Sequence, residues 1–148
     1  MNIGKAIRIV ENEALASRWS AWDTLPIGTI LHHGTDAEFD PEDDELIAPA
    51  WFSTSLSVAT HFAKGGRIYL YEVTAPIRLP VIKSRSDRAR FFELFNIDDG
   101  GAEDIADSMA QSGLPGWIIP ANYRDGDDIM LVRLDSIERK GVQPAGPR

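Results

Sequence analysis

The chain has 148 residues, enough for one domain of ordinary size and too few for two. Hydrophobic residues at 43% and charged residues at 26% are globular proportions that exclude wholesale disorder, and no apolar run approaches the roughly 20 residues of a bilayer-spanning helix. Fifteen Lys and Arg against 23 Asp and Glu give a net charge of -8, which argues against a grip on nucleic acid, since phosphate-binding faces are basic. The absence of cysteine excludes disulfides, thiolate metal sites and a thiol nucleophile.

The N-terminal stretch MNIGKAIRIVENEALASRW carries no apolar signal core, so a cytoplasmic protein is expected. Residues 11–22 space Leu15, Trp19 and Trp22 as a helix would. Residues 28–33 read as a strand that turns at Gly34, with an acidic stretch, DAEFDPEDDE, following at 36–45. That stretch is either a solvated loop or a surface for a basic partner. Residues 51–54 read as a short strand. A helix capped by Ser55 or Ser57 follows, with Leu56, Ala59, Phe62 and Ala63 inward. Strands are expected at 67–73 and 77–82, helices at 86–96 and 102–112, and strands at 117–119 and 129–134. Short strands interrupted by helices in irregular order predict an α+β fold. One domain over 1–140 with a frayed Gly- and Pro-rich tail at 141–148 is expected.

Three segments hold the chemistry. His32 and His33 precede Gly34 and Thr35. Neighbouring strand residues face opposite ways, so only one imidazole is expected in a given pocket, and a two-His metal site is poor geometry. Each is equally readable as a structural histidine. Trp51, Phe52, Ser53, Thr54 and Ser55 offer an aromatic wall with hydroxyls, suited to a flat cationic ring, or simply a core strand and helix cap. Asp125, Asp127 and Asp128 open the apolar run from Ile129 and are either turn residues or a carboxylate set to stabilise positive charge. No G-x-G-x-x-G follows a strand, so a Rossmann site is not expected.

Read together, these segments resemble the ADP-ribosyltransferase superfamily, on the branch whose triad is His, an aromatic and Glu. Leu31-His32-His33-Gly34-Thr35 is similar to the first family motif, and residues 51–55 with Ala59 and Phe62 to the second. Gly113–Pro120 and Gly126–Ile137 are similar to the final hairpin. The resemblance spans roughly residues 28–137 and implies a split, mostly antiparallel two-sheet core with flanking helices. It implies NAD as substrate, with His33 on the adenosine ribose and Gly34, supported by Thr35, on the nicotinamide amide. Trp51 and Phe62 would flank the ring, with Phe52 and Ser53 in the same wall, and Asp128 would be the catalytic acid with Asp127 the fallback. The acid is Asp where the branch has Glu, and Trp51 stands where Tyr is usual. Ser53-Thr54-Ser55 is also similar to a motif of the sister branch, which carries an Arg where His33 stands. The implied activity is mono-ADP-ribosyl transfer to a protein acceptor, in the manner of a bacterial or phage effector. A small-molecule acceptor stays open. The alternative is a catalytically silent module that blocks a partner through its acidic stretch.

Overall fold

The computed structural model describes residues 18–35, 49–63, 66–123 and 126–144. The acidic stretch at 36–45 and the first part of the expected 11–22 helix lie outside these. Among the described residues the chain forms β1 (Trp22–Leu25), β2 (Ile30–Thr35), β3 (Ala50–Phe52), α1 (Leu56–Ala63), β4 (Arg67–Val73) and β5 (Ile77–Pro80). It continues as α2 (Arg85–Leu94), α3 (Ala102–Gln111), β6 (Gly116–Tyr123), β7 (Gly126–Leu131) and β8 (Ile137–Pro144).

Two three-stranded antiparallel sheets, ordered β2-β4-β8 and β3-β7-β6, make the body, and β1 pairs with β5. Among the described residues one antiparallel bridge, between His32 and Ser53, joins the two larger sheets. This is the split α+β architecture that the motifs implied. Leu31, Tyr69 and Tyr71 from one sheet and Phe52, Ile129 and Leu131 from the other share one core. Strand alternation sends Trp117 and Met130 to the opposite face, where Phe91, Phe95, Met109 and Trp19 cover them. The β3-β7-β6 sheet is therefore buried on both faces. That is why Gly116–Ile119 and Ile129–Leu131 read as unbroken apolar runs.

Several expectations are corrected. Residues 18–22 are not helical: Trp22 opens β1, and Trp19 is buried edge-on to Phe91 with its Nε1 donating to the Val81 carbonyl. The helical spacing arose because both tryptophans serve a core, not because they share a helix face. The strand does not turn at Gly34, which lies within β2 opposite Ile68. The segment from 141, read as a tail, is strand through Pro144, where Gly141–Pro144 pair with Arg67–Leu70. β8 is an edge strand of its sheet, where Gly and Pro are tolerated. In α1 the inward residues are Val58, Ala59 and Ala63, while Leu56 and Phe62 are exposed.

Small side chains on α1 have a physical reason. The helix packs Ala59 and Ala63 onto Ile68, directly over Gly34. A Cβ on Gly34 would collide with the Ala59 carbonyl, so glycine lets helix and strand close up.

Candidate functional site

The split between the sheets holds a cavity of about 430 Å3. It is lined by His32, His33 and Gly34 from β2, Trp51 and Phe52 from β3, Ser53, Val58, Ala59 and Phe62 from the turn and α1, and Asp128 from β7. Its size falls within the usual range for small-molecule sites. Of the expected site residues, the structure brings His33, Gly34, Trp51, Phe52, Ser53, Phe62 and Asp128 to one place. Thr35 ends β2, and its side chain lies outside what is described.

The register of β2 explains the opening. Thr29 accepts a bond from Val73 in β4, so residues 29, 31 and 33 turn their backbone groups towards β4. His32 turns the other way, exchanging both backbone bonds with Ser53 at 2.8 and 3.0 Å. Gly34, two residues on, presents its N–H and C=O along that same edge. A continued ladder would pair it with Trp51. Instead the Trp51 carbonyl accepts the His33 Nδ1–H at 2.7 Å. Among the described residues the Gly34 backbone pair has no partner on that edge.

His33 packs its ring 5.6 Å from Phe52, and burial pushes its pKa below the ordinary value, against the opposite pull of the Trp51 carbonyl. The neutral ring with its proton on Nδ1 leaves Nε2 as an acceptor. Trp51 is 40% exposed and Phe62 42% exposed, so both put aromatic surface where a ligand reaches it. Among the described residues no Lys or Arg lines the cavity.

The two neighbouring carboxylates differ. Asp127 Oδ1 accepts from Ser53 Oγ at 2.9 Å and from the Thr54 N–H at 2.8 Å, and its Oδ2 accepts from Thr54 Oγ1 at 2.8 Å. It fastens β7 to the β3–α1 turn. Ser53 Oγ in turn accepts the Ser55 N–H, and Ser55 caps α1. Gly126 makes room for this turn, since a Cβ there would press on Ser55 and Val58. Asp128, on the other side of the strand, lines the cavity and accepts no hydrogen bond among the described residues. Its pKa is pushed up to about 6, first by burial and then by the adjacent Asp127 charge.

One expectation about this site is overturned: both imidazoles line the cavity, not one. The opening lies along the free edge of β2 and draws walls from both faces of the strand. Ala59 belongs to the cluster on one face and Phe52 to the core on the other. His32, Val58 and Ala59 line the cavity without being expected in the site, although His32 and Ala59 stand within the motifs. Strand alternation argues against the first, Ala59 is expected on the inner face of the helix, and Val58 is given no role. Among the described residues no group of three His, Asp or Glu side chains is arranged to hold a metal ion. No helix among them is long and apolar enough to cross a membrane.

No family model matches the sequence, and no curated protein matches it significantly. Among solved structures, a chain of the M. tuberculosis MbcT-MbcA toxin-antitoxin complex is similar in fold. It superposes with a TM-score of 0.51 at 10% sequence identity, over 90% of this chain and 91% of that one. The likeness covers nearly the whole of both chains and is one of fold.

Proposed function

We propose that this chain is an NAD-consuming ADP-ribosyltransferase that breaks the bond between nicotinamide and ribose and passes ADP-ribose to a protein acceptor. The observation that carries the reading is the convergence, in one cavity, of a backbone donor–acceptor pair at Gly34 with no partner on that edge among the described residues, an aromatic wall and the Asp128 carboxylate. A carboxamide is the complement of that backbone pair, since its oxygen accepts and its NH2 donates. A cationic pyridinium ring suits aromatic surface beside an acid in a cavity whose described lining holds no Lys or Arg.

In the reaction the C1′–N1 bond breaks and nicotinamide leaves neutral with the bonding pair. Positive charge develops on the ribose as in glycoside cleavage. Asp128 in its ionised form stabilises that charge, an electrostatic contribution of roughly 3–4 kcal/mol. The acceptor's lone pair then bonds to C1′ and its proton is released to solvent. His33 Nε2 accepts from a ribose hydroxyl and holds the sugar. The shared fold with a chain of a toxin–antitoxin complex supports an effector role and a protein partner.

Incubating the protein with isotopically labelled NAD and a cell lysate, followed by mass spectrometry, tests the reading. The expected result is labelled ADP-ribose on protein with the wild type and none with Asp128→Asn. A partner effect that survives Asp128→Asn with no NAD consumed would favour the silent binding module.

A further inference from the structure

We infer that His32 is a second imidazole contact to the ligand, its Nε2 accepting a hydrogen bond from a hydroxyl or amide N–H on the nicotinamide–ribose half of the dinucleotide. The inference rests on the NAD reading above and extends it, since that reading gives the ligand contacts on β2 to His33 and Gly34 alone.

His32 Nδ1 lies 3.2 Å from the Ser53 carbonyl. A carbonyl oxygen only accepts, so the proton of the neutral ring is on Nδ1 and Nε2 carries a lone pair. The Ser53 carbonyl also accepts the His32 backbone N–H, and the His32 carbonyl accepts the Ser53 N–H. The residue is thus held at three points before any ligand arrives, which lowers the ordering cost of a contact. Its ring lines the cavity, and no described residue partners Nε2.

The same arrangement recurs one residue on. His33 hangs from the Trp51 carbonyl by its own Nδ1. Two imidazoles are therefore pinned to alternate carbonyls of the 51–53 segment, each with Nε2 to spare. With the Asp128 carboxylate they make a set of acceptors. Such a wall selects a ligand rich in donors. The ribose hydroxyls and the carboxamide NH2 of the nicotinamide end are donors, whereas a diphosphate offers only acceptors.

A purely structural histidine would also sit on Ser53, so two variants separate the roles. His32→Asn puts an amide nitrogen where Nδ1 stands, keeps the Ser53 anchor and deletes Nε2. His32→Gln carries a polar group out to the ε position and gives up the anchor. Titration of NAD into each protein by calorimetry, with thermal unfolding as a check on folding, reads the difference. The expected result is about five- to tenfold weaker binding for His32→Asn, with most of that loss recovered in His32→Gln. A His32→Asn protein that binds NAD as the wild type does, or a His32→Gln protein weaker than it, overturns the assignment alone. A wild type that shows no heat of NAD binding overturns the NAD reading itself, and the assignment with it.

Discussion

Asp127 and Asp128 are consecutive on β7, yet the first is saturated by donors from Ser53 and Thr54 while the second faces the cavity with none among the described residues. Strand alternation alone produces this division, sending one carboxylate to the turn and its neighbour to the opening. Burial raises the pKa of Asp128, and the neighbouring Asp127 carboxylate adds to the rise.

Asp127→Ala removes the acceptor from three donors and is expected to destabilise the protein by about 1–3 kcal/mol, measured by urea unfolding. Asp127→Asn removes the charge but keeps one acceptor oxygen. It is expected to destabilise less and to move the acidic limb of the pH–rate profile for NAD turnover to lower pH, because Asp128 then ionises more easily. An unmoved limb would mean that Asp127 does not tune its neighbour.

The raised pKa of Asp128 carries a stability consequence of definite sign. The folded chain holds the carboxyl proton between the ordinary value of 3.8 and about 6, so it binds more protons than the unfolded chain in that window. Stability from this group therefore falls as pH rises through the window and is constant above it. Asp128→Asn is expected to unfold like the wild type near pH 3.5. At pH 7.5 it is expected to be more stable by about 1–2 kcal/mol, allowing for solvent screening of a partly exposed carboxyl. Thermal unfolding at the two pH values checks this. NAD turnover by the wild type is expected to rise with pH through about 6, as the carboxylate forms.

Much of this arrangement is legible in the sequence where local chemistry and tertiary demand agree. Arg67–Val73 alternates because one face of β4 meets the core, and the strand forms over that span. The helix expected over 86–96 forms as α2, capped by the Ser84 side chain, which accepts the Asp87 N–H. The site residues that the three motifs imply are seven of the ten that line the cavity, and only Val58 stands outside the motifs altogether. What the sequence hides is set by distant partners. Trp19 and Trp22 keep helical spacing without a helix, because burial against Phe91 and pairing with Pro80 override it. Gly141–Pro144 looks like a tail until the edge of β4 is there to pair it. Alternation misplaced His32 because it describes a continuous sheet, and the cavity exists where the sheet stops.

Exposed and buried aromatics are expected to part ways under truncation. Trp51→Ala removes a half-exposed ring from the cavity wall and should weaken NAD binding roughly threefold to tenfold with a small loss of stability. Phe91→Ala deletes a fully buried ring in contact with Trp19, Phe95 and Trp117, and should cost about 3–5 kcal/mol. Calorimetric titration and denaturant unfolding of both variants give the two numbers side by side. Equal stability loss in the two would contradict the placement of Trp51 at the opening.

Gly34→Ala tests the close approach of α1 to β2. The added methyl meets the Ala59 carbonyl, so the helix must shift, at an expected cost of about 1–3 kcal/mol or more. Because α1 carries Val58, Ala59 and Phe62 of the cavity wall, NAD binding should fall with it. A stable variant with unchanged NAD affinity would mean that the helix does not set the cavity.

The most direct measurement is nicotinamide release from NAD by the purified wild type, Asp128→Asn and Asp127→Asn, followed chromatographically at pH 7.5. The account predicts release by the wild type and by Asp127→Asn, with a loss of at least about a hundredfold in Asp128→Asn, the scale of one electrostatic contact in the transition state. Undiminished release by Asp128→Asn, or loss with Asp127→Asn alone, would contradict it.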